Sequence, residues 1–524
     1  MYHINLFYNN GFEWVTNSRR TIYIKGFLFQ GNKYLEGLEF INVLEKIRNR
    51  NEFRKFLETC NGQFSIIIII QNCCLVASDI IRSFPLFYMH KNNSIWISDS
   101  IDYLNKKFDQ IELLKQSEEE FLTLGYVLGS NTLIKDIFQI QAGEMLFFKN
   151  KIIYKQYYFT YLTNAENINK SIFLEKEFKN ILHRVFSRLL SSCKGRQIVI
   201  PLSGGMDSRL IALYLKKLKA ENVLCITYGR KDNIEAKVSK KVAEKLGFKW
   251  YFIEYNDELI KDFLISDVFN DYYKYVAHYS SLFYFQEYFC VKYLKEHKLI
   301  DENAIAIPGF SGDMIGGSHL RKNIAYHKNF KFLARDIVLK EYIYQNHTQK
   351  QFDRFIFKLF KSFPKGYYAY SIFENWNIKE RQSKFIQNSA LVWNYFGFEY
   401  RTPFWDIELV TFFQHLPYKY KLHKKFYTEV LQELFKTNEL NVELDKPFSK
   451  RSVEYQYWKK RIKYHFTFLE KLKSFQNIED TNYYKEITQY LMDDALVKNE
   501  KIEKITDYNS VIIQWYLKKV QGKI

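Results

Sequence analysis

An apolar strand that runs into a glycine-rich turn and then into a helix constrains this chain most. Residues 197–200 read Gln-Ile-Val-Ile, and residues 203–208 read Ser-Gly-Gly-Met-Asp-Ser. Two consecutive glycines let backbone N–H groups converge on an anion, and the N-terminus of the following helix adds partial positive charge. The turn lacks the spacing and the lysine of a Walker A loop. It therefore predicts a different kind of phosphate-binding loop, with a plain tight turn as the alternative.

The pattern around this turn alternates between strands and helices. Strands are predicted at 223–228 and 250–253, with helices at 210–219 and 235–246. Such alternation is typical of a parallel, doubly wound α/β sheet, which binds its ligand at the carboxyl ends of the strands. The chain beyond these elements is predicted to be largely helical.

The first third of the chain has a different pattern, in which short β-branched and aromatic runs are separated by Gly and Asn turns. Strands are predicted at 21–29, 64–70, 94–97 and 144–148, with a helix at 38–48. A chain of 524 residues is long enough for two domains. We place them at 1–165 and 175–524, joined by a polar linker.

The composition excludes several classes of protein. A hydrophobic content of 47% supports large cores, and the net charge of +19 comes from 77 basic and 58 acidic residues spread along the chain. We interpret this as a solvated basic surface, so a nucleic-acid partner is not favoured. The six cysteines lack metal-ligand spacing, and the run at 66–70 is far shorter than the roughly 20 residues of a membrane span. A cytoplasmic, soluble protein is expected, and a homodimer is left open.

Five of the six residues of the turn have a predicted role in holding phosphates. Gly204 and Gly205 offer backbone N–H groups, Ser203 and Ser208 add hydroxyl donors, and Asp207 is suited to hold Mg²⁺ against the phosphates.

Several motifs together resemble one family. The turn resembles the pyrophosphate loop of the N-type ATP pyrophosphatases, which cleave ATP between its α and β phosphates. Residues 61–64, 77–88, 125–133 and 141–144 resemble segments of class II glutaminase domains, and 401–406 (Arg-Thr-Pro-Phe-Trp-Asp) resembles a synthetase segment. Taken in order, they identify an asparagine synthetase-like chain. The resemblance implies an N-terminal αββα sandwich followed by the doubly wound pyrophosphatase domain.

The glutaminase-like third departs from the family pattern. Tyr2 stands where a working enzyme has a cysteine whose own α-amine acts as base. Lys25 and Phe27 flank a glycine where the family has Asn-Gly-Glu, and Asn61 replaces an Asp. These changes predict a degenerate domain that does not hydrolyse glutamine. Nitrogen would then come from ammonia, a partner or an amine on the substrate.

A second loop, residues 309–317 (Gly-Phe-Ser-Gly-Asp-Met-Ile-Gly-Gly), resembles the family loop that faces the pyrophosphate loop. Asp313 is predicted to be a second Mg²⁺ ligand, with a simple turn residue as the alternative. Phe310 and Met314 stand where the family has glutamates, which weakens the expectation of ordinary asparagine synthesis.

The resemblance assigns further residues to the nucleotide. Leu202, Tyr228 and Gly309 fall where the family contacts adenosine, largely through backbone atoms. Glu235 is placed near the nucleotide, with an exposed first-turn glutamate as the alternative. Lys446 resembles the lysine over the α-phosphate, which would make it catalytic together with Asp207.

The leading hypothesis is an ATP-dependent, AMP-forming amide ligase that activates a carboxylate as an acyl-adenylate. Asparagine synthesis from ammonia, amidation of a sugar acid and intramolecular cyclisation all fit. An RNA-modifying ATP pyrophosphatase is a second hypothesis, favoured by the charge but opposed by the glutaminase-like third. A non-catalytic relative is a third, opposed by the intact pyrophosphate loop.

Overall fold

The computed structural model describes residues 1–524 except 109–111, 150–151, 167–170, 232, 323–329, 342–348, 443–479, 504 and 506. The strands are β1 Tyr2–Asn5, β2 Trp14–Thr16, β3 Ile22–Gln30, β4 Lys33–Glu36, β5 Asn61–Ile70, β6 Cys73–Ser78, β7 Phe87–Lys91, β8 Ser94–Ser98, β9 Phe138–Gln139, β10 Glu144–Lys149, β11 Ile152–Tyr157, β12 Ile198–Pro201, β13 Val223–Gly229, β14 Lys249–Glu254, β15 Ile305–Ala306 and β16 Glu399–Tyr400.

The helices follow the same chain order. They are α1 Gly37–Leu44, α2 Arg50–Glu58, α3 Ile101–Phe108, α4 Lys115–Leu124, α5 Ser171–Cys193, α6 Met206–Lys217, α7 Ile234–Leu246, α8 Asp257–Ile260, α9 Asp267–Ala277, α10 Tyr288–Glu296, α11 Gly312–Ile315, α12 Phe330–Glu341, α13 Gln349–Ser362, α14 Ala369–Asn377, α15 Leu391–Tyr395, α16 Ile407–His415, α17 Tyr418–Lys421, α18 Lys425–Thr437, α19 Tyr484–Val497 and α20 Tyr508–Val520. A π-helical segment, Ile378–Ile386, follows α14.

Strands β1 to β11 form two stacked sheets. The larger has the order β11-β10-β6-β5-β3-β2, with β4 paired to β3, and the smaller has the order β1-β8-β7-β9. In β5, Ile66 and Ile68 face α1 and α2, whereas Ile67 faces the smaller sheet. Both faces of β5 are thus covered, which explains its unbroken isoleucine run. With α3 packed behind the smaller sheet, the arrangement is the predicted αββα sandwich.

A separate sheet of five parallel strands has the order β14-β13-β12-β15-β16. The chain moves outward from β12 to β14 on one side and then crosses to β15 and β16 on the other. The strand order therefore reverses between β12 and β15. At such a reversal the loops after the two strands diverge and leave a crevice for a ligand. The doubly wound architecture predicted from the sequence is confirmed.

The two parts of the chain share one apolar core. Phe12, Phe27 and Phe84 from the sandwich belong to the same buried cluster as Phe398 and Tyr400 at the edge of the parallel sheet. No helix in the described part of the chain combines the length and the apolar character that crossing a membrane requires.

Candidate active site

The glycine turn at residues 203–208 is held in shape by hydrogen bonds to its own serines. Gly205 immediately precedes α6, and its N–H donates to Ser203 Oγ at 3.2 Å. The Ser203 and Ser208 hydroxyls lie 3.0 Å apart, and Ser203 N–H donates to Ser208 Oγ at 3.1 Å. From the far side, Arg209 Nη2 donates to Gly204 O at 3.0 Å. These bonds hold the turn in one shape at the positive end of α6.

The second loop packs directly against the first. A Cβ on Gly309 would lie 2.6 Å from Ser208 N, and a Cβ on Gly312 would lie 2.7 Å from Asp207 Oδ2. Contacts that short do not occur, so only glycine fits at either position. The loops are also joined by a hydrogen bond, in which Asp313 N–H donates to Asp207 Oδ2 at 3.0 Å. The two acidic residues predicted for Mg²⁺ therefore come from loops that touch.

Asp207 is buried in an environment that disfavours its charge. Burial, followed by the negative charge of Asp313, raises the pKa of Asp207 to about 7. The hydroxyl of Tyr427 donates to Asp207 Oδ1 at 2.8 Å and acts in the opposite direction, as does the charge of Lys424. Two neighbouring carboxylates that repel each other are a suitable place for a cation.

Two adjoining cavities open from the paired loops. Cavity A, of about 220 Å³, is lined among others by Leu202, Tyr228, Glu235 and Glu287. Cavity B, of about 430 Å³, is lined among others by Asp207, Asp313, His319, Arg381 and Lys424. The cavities share four lining residues, which are Ser203, Gly309, Phe310 and Ile386. A ligand could therefore run from cavity A past the glycine loops into cavity B.

The π-helical segment Ile378–Ile386 forms one wall of cavity B. A π-helix widens the turn and is frequent at functional sites. Its Gln382 accepts a hydrogen bond from Ser311 Oγ at 3.1 Å, which ties this wall to the second loop. Ser311 and Lys424 both have left-handed backbones, with φ of 75° and 53°. Non-glycine residues held in this region store strain, and such strain gathers at sites of function.

The structure places most of the predicted site residues around these cavities. Those that line cavity A or cavity B are Leu202, Ser203, Gly205, Asp207, Tyr228, Glu235, Gly309 and Asp313. Gly204 and Ser208 lie within the loop itself. Lys446 falls outside the described residues. Phe310 and Met314 both line cavity B.

Sequence reasoning missed four residues that the fold brings to the site. Tyr427 and Lys424 come from the region of α18, Arg381 from the π-helical segment and Glu287 from the start of α10. None of them stands in a recognisable motif, and each is distant in sequence from the glycine loops. No signal in the sequence alone points to them.

The predicted glutamine-binding positions in the sandwich have other contacts. Lys25 is buried, and its ammonium donates to Tyr8 O at 2.6 Å. The ring of Phe27 lies beneath Arg401, with 4.4 Å between the guanidinium carbon and the ring centroid. The space left beside Phe27 and Arg401 is about 40 Å³.

The strand that carries Asn61 docks onto the segment after β16. Asn61 Nδ2 donates to Asp406 Oδ2 at 2.9 Å, and Asp406 also forms a buried ion pair with Arg188. Gln63 Oε1 accepts from Thr402 N–H at 3.1 Å. Two segments that the sequence singled out separately thus form one interface between the sandwich and the parallel sheet.

Comparison with known proteins agrees with this geometry. The family model for asparagine synthase matches residues 194–385, which include both glycine loops. These residues are an asparagine synthetase-like domain. The resemblance stated from the motifs is confirmed there.

The asparagine synthetase-like domain also has a curated relative. Microcin J25-processing protein McjC of Escherichia coli is 24% identical over 247 residues, which is 45% of this chain and 44% of that protein. The match thus spans less than half the length of the relative.

Solved structures are similar only at a low level. An NH3-dependent NAD synthetase from Campylobacter jejuni is 14% identical, with 41% of this chain and 96% of that one covered at a TM-score of 0.21. Glutamine phosphoribosylpyrophosphate amidotransferase from B. subtilis is 9% identical, with 66% and 70% covered at a TM-score of 0.19. These TM-scores are too low to carry an argument, so the fold rests on the sheet order itself.

Proposed function

We propose that this chain is an ATP-dependent, AMP-forming amide ligase that activates a carboxylate as an acyl-adenylate. The observation that carries the proposal is the contact between the two acidic glycine loops, Asp313 N–H to Asp207 Oδ2 at 3.0 Å, at the junction of two cavities. Cavity A would hold the nucleoside and cavity B the phosphates and the reacting acid.

In the first step a carboxylate oxygen attacks the α-phosphorus of ATP. The bond to the bridging oxygen breaks, and pyrophosphate leaves with that electron pair. The N–H groups of residues 203–208 and the positive end of α6 would receive the negative charge. In cavity B, Lys424 and Arg381 add positive charge near the same loop. An amine nitrogen then attacks the acyl carbon, loses a proton, and AMP departs.

Magnesium fits the acidic pair. Mg²⁺ in nucleotide sites is held by one or two carboxylates together with phosphate oxygens and water. Asp207 and Asp313 would supply the two carboxylates, and the ion would neutralise phosphate charge. Among the described residues, no group of three or more His, Cys, Asp or Glu side chains gathers as a metal site.

We further propose that the nitrogen does not come from glutamine. The proposal is supported by two positions where the family resemblance expects polar groups that hold glutamine. Phe27 instead stacks against Arg401, and the Lys25 ammonium donates to Tyr8 O. Purified protein should release no glutamate from glutamine. Detection of glutamate that requires ATP and the acid substrate would contradict this part of the proposal.

The test of the ligase activity is AMP and pyrophosphate release from Mg-ATP with a panel of acids, including aspartate, sugar acids and peptides. Ammonium or the substrate's own amine should then convert the adenylate to an amide. Asp207→Ala provides the inactive control. If no acid elicits AMP, and the protein also fails to bind Mg-ATP, the proposal is wrong.

A peptide carboxylate is the second candidate substrate within the same chemistry. It is favoured by the likeness to a protein that processes microcin J25. The phenylalanine and methionine at positions 310 and 314 give cavity B an apolar side, which suits a substrate larger than aspartate.

A further inference from the structure

We infer that Glu287 selects the base of the nucleotide by accepting a hydrogen bond from the exocyclic amine of adenine. This inference rests on the proposed function, since it assumes that ATP occupies cavities A and B. It assigns a specificity-determining residue to the part of cavity A that is not shared with cavity B.

Glu287 is a partly buried carboxylate on the wall of cavity A, immediately before α10. One of its oxygens is firmly held, because Trp393 Nε1 donates to Oε2 at 2.7 Å. Within the described part of the chain, the other oxygen, Oε1, receives a single long contact of 3.4 Å from the hydroxyl of Tyr228. At that length an O–H···O bond is weak, so Oε1 retains capacity to accept from a ligand.

The position of Glu287 fits a contact to the base. The residues common to cavities A and B, among them Ser203 and Gly309, mark the end of cavity A that faces the phosphates. Glu287 lines cavity A only, together with Tyr228 and Val392. A triphosphate anchored at residues 203–208 would direct its base toward these side chains.

The chemistry of the carboxylate favours adenine over a 6-oxo purine. Adenine presents an amine at position 6, which can donate to Glu287 Oε1, whereas hypoxanthine presents a carbonyl oxygen there, which would repel it. Burial raises the pKa of Glu287 to about 7, whereas the Trp393 and Tyr228 donors favour the charged form, so the group is mostly a carboxylate at about pH 8, where the binding comparison below is made. The amine of adenine would donate a further hydrogen bond to this carboxylate, at Oε1, and would favour its charged form.

The test is equilibrium binding of nucleoside triphosphates to the full chain with Mg²⁺ at about pH 8, which needs no acid substrate. Wild-type protein should bind ATP about ten-fold or more tightly than ITP or purine riboside triphosphate, as expected for a hydrogen bond to a charged group. Glu287→Gln can still accept from Trp393 while turning its amide N–H₂ to the ligand. It should lower the ATP-to-ITP ratio about ten-fold.

Glu296→Gln, at an exposed position near the end of the same helix α10 and outside both cavities, is the matched control and should leave that ratio unchanged. Thermal unfolding of each variant checks that it is folded. If Glu287→Gln is folded and keeps the wild-type ratio, the inference is wrong. It is also wrong if the variant instead loses discrimination against 2′-deoxyATP, since the carboxylate would then contact the ribose. Failure of wild-type protein to bind ATP at all would overturn the proposed function itself.

Discussion

Two regions of the chain resemble sites that bind a polar ligand, the glycine loops of the parallel-sheet part and the glutaminase-like positions of the sandwich. They differ in how much space the structure leaves beside them. In the parallel-sheet part, two glycine loops leave cavities of about 220 and 430 Å³. In the sandwich, Phe27 and Arg401 leave about 40 Å³. Glycine at positions 309 and 312 lets the two loops of the first region touch, because a Cβ there would collide with Ser208 or Asp207. In the second region the guanidinium of Arg401 stacks on the ring of Phe27. These two side chains therefore form part of the contact between the sandwich and the parallel-sheet part.

Asp207→Ala should have the largest effect. Removal of the carboxylate that accepts from both Tyr427 and Asp313 eliminates a predicted Mg²⁺ contact, and AMP release should fall on the order of 10³-fold. Because the buried carboxylate is poorly solvated, stability to urea should not fall in parallel. A parallel loss of stability would show that Asp207 is mainly structural.

Arg401→Met tests how much the buried contacts of Arg401, including its stacking on Phe27, contribute to stability. Arg401 is buried, donates to Glu399 Oε2 at 2.8 Å and to Ser192 Oγ at 3.1 Å, and stacks on Phe27. Loss of one partner of a buried ion pair should lower the free energy of unfolding by about 3 kcal/mol. Urea unfolding measures this. Arg196→Met, which removes a more exposed partner of the same Glu399, should cost only about 1 kcal/mol.

Gly309→Ala tests whether the two loops must touch. Its Cβ would lie 2.6 Å from Ser208 N, a backbone atom that cannot rotate away. The loops should separate, and AMP release should fall about 30-fold, on the scale of a misplacement near 1 Å. Gly205→Ala is the comparison, because its Cβ would meet only the rotatable Ser203 Oγ at 3.2 Å. Equal effects of the two changes would argue against close contact as the reason for Gly309.

His278 should make the stability of the folded protein depend on pH, and we expect this effect to be smaller than the three above. Burial, and then the positive charges of Arg82 and Lys25, lower the pKa of His278 well below its usual value. The unfolded chain takes up this proton near pH 6.5 while the native chain does not, so stability is lost as pH falls below about 6.5. His278→Asn, which tolerates the left-handed φ of 46°, should reduce this loss by about 1 kcal/mol between pH 7.5 and 5.5.

Urea midpoints at the two pH values measure the difference. The wild-type protein is the reference for this comparison. An identical pH dependence in the two proteins would mean that His278 is protonated in the native state.

The sequence by itself determined the local elements of the fold. The isoleucine run of β5, the alternation of strands and helices after residue 197, and the two glycine loops depend on short-range patterns that a linear chain displays. The reversal of strand order between β12 and β15 is visible only in the sheet topology. It makes these two strands neighbours, and the glycine loops that follow them therefore meet.

Only the tertiary structure decided which side chains complete each region. Tyr427, Glu287 and Arg401 carry no motif, and each reaches its partner across a large separation in sequence. The sequence predicted that the glutaminase-like positions had changed, but not that a guanidinium from the parallel-sheet part would cover them. The physical reason is that such contacts depend on how whole sheets and helices pack, which no local pattern encodes.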